Sequence, residues 1–84
     1  MPDTQEIRLY GTRWCPDCRR VKQVLDRHNI PFQWIDIEED AGAMSYVQKV
    51  NGGYQSVPTI VFPDGSVLVE PASEALEKKL AGIK

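Results

Sequence analysis

The sequence predicts an α/β domain with the element order β-α-β-α-β-β-α, a four-stranded mixed sheet and three helices. Three observations predict it. Short runs of alternating or β-branched apolar residues take turns with longer runs of helical period. The first two strand-like runs are separated by a helical one, which makes them parallel partners joined by a right-handed crossover. The last two, Thr59-Ile60-Val61-Phe62 and Val67-Leu68-Val69, are joined by Pro63-Asp64-Gly65-Ser66, a strong hairpin turn. The 84 residues suffice for one domain, residues 1–84, and leave no room for linkers, repeats or a second one.

In chain order, Ile7 and Leu9 alternate with Glu6, Arg8 and Tyr10, as a first strand does. A helix starts at Pro16 and buries Val21, Val24, Leu25 and His28, with Arg19, Arg20, Lys22 and Asp26 outward; Asn29 and Pro31 end it. Phe32 to Ile37 is dense in aromatic and β-branched residues and reads as a buried second strand. Asp40 caps a second helix whose Ala43, Met44, Val47 and Val50 form one face, and Asn51-Gly52-Gly53 terminates it. After the hairpin, a last helix begins near Pro71 or Ser73, buries Leu76 and Leu80, and is expected to stop at Gly82.

Composition narrows the function. Hydrophobic residues make up 42% and charged residues 26%, the balance of an ordinary soluble fold rather than a disordered tail. The start, Met1-Pro2-Asp3-Thr4-Gln5-Glu6, is too polar for a secretory signal, and no apolar run approaches a membrane span. A cytoplasmic protein is therefore expected, in a compartment where thiols cycle rather than stay locked as disulfides. The net charge of −2 is uneven: residues 1–35 carry six Lys/Arg against four Asp/Glu, residues 36–84 four against eight. This acidic balance, without interleaved basic and aromatic residues, argues against nucleic-acid binding.

The chemistry lies in Thr12-Arg13-Trp14-Cys15-Pro16-Asp17-Cys18, which holds the only two cysteines of the chain. The run follows a strand and opens a helix. Cys15 falls at the helix N-terminus, where free N–H groups, that of Cys18 among them, and the helix dipole stabilise a thiolate. Cys18 lies one turn on, close enough to form a disulfide or resolve a mixed one, and on the buried face it is less exposed and less acidic. Pro16 suits the first helical position, where its missing N–H costs nothing. The alternative of two inert core cysteines fits poorly with the exposed start of a helix after Trp14. Zinc needs four ligands, and the chain offers two cysteines and one histidine. His28 stands ten residues beyond Cys18, roughly 15 Å along a helix, too far to share a metal or act as a base; it reads as a helix-end residue.

The flanking Arg13, Arg19, Arg20 and Lys22 either favour a thiolate and attract anionic thiols or form a solvated helix face. Asp17 suits the first turn of a helix, and its negative charge also opposes thiolate formation, so it is expected to tune the acidity of the active thiol. Trp14 reads as a lip of the site and Trp34 as core.

The strand–Cys-Pro-Asp-Cys–helix opening, Val57-Pro58 before the third strand and the closing helix resemble the glutaredoxins over essentially the whole chain. The stretch from Val50 to Thr59, with Phe62-Pro63-Asp64-Gly65-Ser66 after it, is especially similar to the actinobacterial mycoredoxins. The resemblance implies a thioredoxin-like (glutaredoxin) fold. It also implies a cis Pro58 facing the thiols and a Val57 backbone that pairs with bound substrate. Arg13, Trp14, Pro16, Val57 and Pro58 are then the expected substrate-contacting residues, with Cys15 and Cys18 catalytic. Three positions depart from the pattern: Asp17 replaces a Tyr common between the cysteines, Thr12 replaces a Lys, and Glu70-Pro71-Ala72-Ser73 replaces the segment that grips the γ-glutamyl end of glutathione. Arg13, Gln55 and Ser73 are candidates for holding a different thiol.

The expected activity is thiol–disulfide exchange on protein disulfides or small-thiol mixed disulfides. No metal or organic cofactor is expected, apart from a low-molecular-weight thiol such as glutathione or mycothiol as co-substrate. A small thiol or a reductase serves as reductant, and the protein is expected to be a monomer. The alternatives are an electron donor recharged by thioredoxin reductase, serving ribonucleotide reductase or a similar target, and an iron–sulfur carrier using Cys15 and a bound thiol from two copies.

Overall fold

A computed structural model describes residues 6–83 of the protein; the polar opening Met1–Gln5 and the final Lys84 lie outside the described residues. The elements are β1 (Ile7–Gly11), α1 (Pro16–Arg27), β2 (Phe32–Asp36), α2 (Ala41–Val50), β3 (Thr59–Val61), β4 (Val67–Val69) and α3 (Ser73–Ile83). The strands form one sheet in the order β2-β1-β3-β4. β1 runs parallel to β2 and antiparallel to β3, and β3 pairs antiparallel with β4. The expected α/β class, element order and mixed sheet are all present.

The sheet is covered on both faces. Val21, Val24 and Leu25 of α1 and Leu76 and Leu80 of α3 pack on Ile7, Leu9, Ile60 and Phe62. On the opposite face Ala43 and Val47 of α2 pack on Tyr10, Ile37 and Val61. Two-sided cover corrects the alternation expected for β1. Tyr10 does not share an open polar face with Arg8; it is buried under α2, its ring centroid 5.1 Å from that of Tyr46. β2 was expected to be buried and is instead half-buried, because it is an edge strand with a single partner.

The helix ends follow their sequences. Asn29 takes the left-handed conformation (φ 56°) just past α1, and the N–H groups of Asn29 and Ile30 close on the carbonyls of Asp26 and Leu25. His28, expected on the buried face, is the half-buried cap of this end. The Asp40 side chain accepts the Ala43 N–H at 3.0 Å and starts α2, and Gly52 (φ 66°) ends it, with the Gly53 N–H on the Gln48 carbonyl at 2.7 Å. Val50, placed by its spacing on the inward face of α2, is 39% exposed as the last helical residue, past the cluster that holds Ala43 and Val47. α3 runs through Gly82 to Ile83, and Gly82 does not take the positive φ that would end the helix there.

Candidate active site

Strand register brings three loops to one end of the sheet. Gly11, the last residue of β1, pairs with Asp36, the last of β2, and its carbonyl accepts the Ile37 N–H at 3.0 Å. Tyr10 pairs with Thr59 in the antiparallel register, so the next step sets Pro58 beside Gly11. The turn that carries the cysteines, the Ile37–Asp40 loop and the Val57-Pro58 segment therefore meet at the carboxyl ends of the parallel strands, the usual place for sites in α/β sheets.

Cys15 is the N-cap of α1, with extended backbone (φ −81°, ψ 116°), and its Sγ accepts the Cys18 N–H at 3.3 Å. Pro16 follows at the first helical position, exposed, as does Asp17 in the first turn. The N–H of Cys15 donates to the Thr12 carbonyl at 3.4 Å, which closes the turn from β1. Cys15 is only 6% exposed, against the expectation of an open helix start, because its sulfur folds back over the first turn to cap it. Cys18 is 1% exposed, so the predicted order of exposure stands, with a smaller gap than expected.

The two sulfurs divide in character. Burial pushes the Cys18 thiol up to about 12; its hydrogen bond with Cys15 and the charge of Asp17 act in the same direction, and the backbone of Thr12 acts against them. Cys18 therefore keeps its proton at neutral pH. At Cys15 the Cys18 N–H and the positive end of α1 stabilise negative charge on sulfur. Gly11 makes room for this arrangement. A Cβ there would lie 2.5 Å from the Cys18 Sγ and 3.0 Å from the ring of Trp34.

Of the basic cluster, Arg13, Arg20 and Lys22 are occupied by partners, and Arg19 is exposed. Arg13 pairs with Asp36 at 3.8 Å and with Glu39 at 4.0 Å. Arg20 meets Asp17 at 3.6 Å and donates to the Ser73 hydroxyl and the Pro71 carbonyl, each at 3.0 Å. Lys22 places its Nζ 3.7 Å from the centroid of the Trp34 ring, which is half-buried against the main core rather than fully enclosed. Trp14 stands 64% exposed beside Cys15, its indole N–H on Glu38 at 3.1 Å. Of the candidates for holding a small thiol, Gln55 is exposed, whereas the Ser73 hydroxyl is taken by Arg20.

The Val57–Pro58 bond is cis, Val57 packs against the α2-side cluster and Pro58 is buried. The Pro58 carbonyl accepts the N–H of Glu70 at 2.8 Å, and Glu70 has a left-handed backbone (φ 48°). The neighbouring Thr59 hydroxyl donates to the Ser56 carbonyl at 2.8 Å and accepts from Asn51 at 3.2 Å, which ties this loop to the end of α2. Cys15 and His28 cap opposite ends of α1, as their spacing required. Sequence reasoning missed Gly11, Glu38 and Glu70. A glycine closing a strand is a signal for close approach, and the acidic run after β2 had to reach this end of a βαβ unit; Glu70 left no such mark.

Comparison with known proteins gives one consistent result. The glutaredoxin family model matches residues 7–68. The chain is 39% identical over 80 residues to a Mycobacterium tuberculosis protein provisionally named a glutaredoxin, covering 95% of each chain. It is 36% identical over 73 residues to mycoredoxin 1 of Corynebacterium glutamicum, covering 86% of this chain and 90% of the relative. Among solved structures, the glutaredoxin from Archaeoglobus fulgidus superposes with a TM-score of 0.74 at 29% identity, over 88% of this chain and 84% of that one.

Proposed function

The chain belongs to the glutaredoxin family and is a thiol–disulfide oxidoreductase of that kind; from this premise we propose that it reduces protein disulfides or small-thiol mixed disulfides through Cys15 and Cys18. The thiolate of Cys15 attacks one sulfur of the substrate disulfide; a new S–S bond forms, and the other sulfur leaves as a thiolate with the bonding electron pair. Cys18 then gives up its proton and attacks Cys15, which closes the Cys15–Cys18 disulfide and releases the second substrate thiolate. A reductant returns two electrons and two protons to restore the dithiol. A low-molecular-weight thiol such as glutathione or mycothiol, or a reductase, fills that role in the cytoplasm. The cycle needs no metal or organic cofactor, and the protein works as a monomer of one domain.

The observation that carries this division of roles is the N-cap geometry of Cys15, with Cys18 protonated one turn below it. Trp14 and Pro16 flank the reacting sulfur, Arg13 orients the turn through Asp36, and Val57-Pro58 lies across from it as the backbone surface for the incoming substrate.

Two variants test the proposal. Cys15→Ser abolishes turnover on every disulfide substrate, because no second nucleophile replaces it. Cys18→Ser holds the substrate thiol on Cys15, and mass spectrometry of that variant after exposure to a disulfide reads the adduct. An adduct found on Cys18 of the unaltered protein reverses the roles.

A further inference from the structure

Pro58 lies at the site end of the sheet, one step before β3 and beside Gly11. Proline has no N–H, so its carbonyl is the only backbone group through which a hydrogen bond can fix it. That carbonyl accepts the Glu70 N–H at 2.8 Å. Glu70 is exposed, directly follows β4, and has a left-handed backbone (φ 48°), which costs free energy for any residue with a Cβ. A conformation of this kind persists where the surrounding structure imposes it.

The imposing contact comes from α1. Arg20 stands two residues beyond Cys18 on that helix, its side chain 33% exposed. One of its terminal nitrogens donates to the Pro71 carbonyl and the other to the Ser73 hydroxyl, each at 3.0 Å. Asp17, one turn earlier, lies 3.6 Å from the nitrogen that serves Pro71. The rigid planar fork of a guanidinium meets two acceptors at once, which a lysine ammonium on its flexible stem does not reproduce. A continuous path therefore runs from α1 through Arg20, Pro71 and Glu70 to the Pro58 carbonyl. It begins on the helix that presents Cys15 and ends on the segment across from it.

We propose that Arg20 is a positioning residue for the reaction: by clamping the Glu70–Ser73 segment to α1, it fixes the Val57-Pro58 backbone relative to Cys15 and so sets the rate of attack on a disulfide borne by a peptide. Its guanidinium bonds the segment, not the sulfur. A peptide that lies along Val57-Pro58 feels any shift of that backbone, and displacements of about 1 Å are enough to slow a reaction severely. A small disulfide that meets Cys15 alone does not feel it. The proposal rests on the reading of Cys15 as nucleophile and Val57-Pro58 as substrate surface given above.

The test uses two probes with the same chromogenic leaving group: dithiodipyridine, and the tripeptide Ala-Cys-Ala with its cysteine as the pyridyl disulfide. In both, the Cys15 thiolate forms a new S–S bond with the probe, the old S–S bond breaks, and pyridinethione leaves with the electron pair and takes a proton from solvent. Stopped flow on the reduced full-length protein reads the first phase of thione release. Arg20→Met is expected to slow the peptide probe roughly tenfold, leaving dithiodipyridine and alkylation of Cys15 by iodoacetamide within about twofold of the original. Arg20→Lys keeps the charge without the fork, and its peptide rate should stay within about threefold of that of Arg20→Met. In both variants the Glu70 amide should exchange hydrogen faster, with Ile60 in the middle of β3 unchanged. Equal slowing of both probes, full recovery in Arg20→Lys, or unaltered Glu70 exchange overturns the proposal. Tripeptide found by mass spectrometry on Cys18 of the unaltered protein would overturn the assignment of Cys15 instead, so the two failures are told apart.

Discussion

Gly11→Ala is the sharpest steric perturbation available at the site. The φ of Gly11 lies outside the left-handed region, so alanine suits the backbone and the effect is purely one of space. The added Cβ would lie 2.5 Å from the Cys18 Sγ and 3.0 Å from two atoms of the Trp34 ring, whereas relaxed carbon contacts stand at roughly 3.5–4.0 Å. Something must move by about 1 Å. The sulfur hangs on a helix whose backbone is fixed by the N-cap bond, so it must rotate away from Gly11. Overpacking of this size costs about 1–3 kcal/mol, and for a domain this small each kcal/mol lowers Tm by roughly 4–8 °C. Urea unfolding of the reduced protein measures the loss, and a double-mutant cycle locates it. In a Cys18→Ala background the sulfur is gone and only the contact with Trp34 remains, so the cost of Gly11→Ala should fall by at least about 1 kcal/mol. A cost that agrees within about 0.5 kcal/mol in both backgrounds refutes the reasoning, because the sulfur would then not be what Gly11 accommodates.

Two further outcomes follow from the charges around the cysteines. The unfolded chain loses the Cys18 proton from about pH 9 upward, whereas the folded protein holds it to about 12, so the unfolded state binds fewer protons across that window and the dithiol form loses stability as pH rises through it. Below pH 9 this group contributes no slope, and the disulfide form, which has no thiol to titrate, should show none of this loss; urea midpoints of both forms at pH 8 and pH 10.5 check it, and equal losses contradict it. Asp17→Asn removes one negative charge near the dithiol and should raise the reduction potential. For a two-electron couple about 30 mV corresponds to 1.4 kcal/mol; the change should be well below that, because Asp17 is exposed, is paired with Arg20, and contributes least to Cys18, behind burial and the Cys15 hydrogen bond. Equilibration against a thiol redox buffer reads it; an unchanged potential with a lower Tm would leave Asp17 a purely structural residue, and a potential that falls contradicts the electrostatic argument.

What was legible in the sequence was whatever depends on local order. Cys15-Pro16-Asp17-Cys18 carries its own cap, its first-turn proline and its spacing, so the position of the nucleophile followed from neighbours alone. Asp40, Asn51-Gly52-Gly53 and Pro63-Asp64-Gly65-Ser66 likewise declare a helix start, a helix end and a hairpin through side chains that bond their own backbone, and each stands where it was expected. What stayed hidden depends on which elements become neighbours. Tyr10 is buried because α2, some thirty residues away, covers its face of the sheet; β2 is half-exposed because no strand among the described residues pairs with its outer side. The contact of Gly11 with both Cys18 and Trp34 needs β1, α1 and β2 in register at once.

The same distinction decides where the active sulfur draws its electrostatic support. Read along the chain, Arg13, Arg19, Arg20 and Lys22 surround the cysteines as a positive patch. In the fold, Arg13 faces Asp36 and Glu39, Arg20 faces Asp17, and Lys22 lies on the Trp34 ring. Those three charges are answered at close range, exposed pairs of this kind are further screened by salt, and Arg19 stands exposed to solvent. The Cys18 N–H, by contrast, is aimed at the Cys15 sulfur at 3.3 Å. The one contact made to the Cys15 sulfur itself in the N-cap is therefore a backbone N–H, not a side-chain cation. Arg20, part-buried, ties the Pro71–Ser73 segment to α1 through its 3.0 Å bonds to the Ser73 hydroxyl and the Pro71 carbonyl, whereas the exposed pairs of Arg13 at 3.8 and 4.0 Å add little.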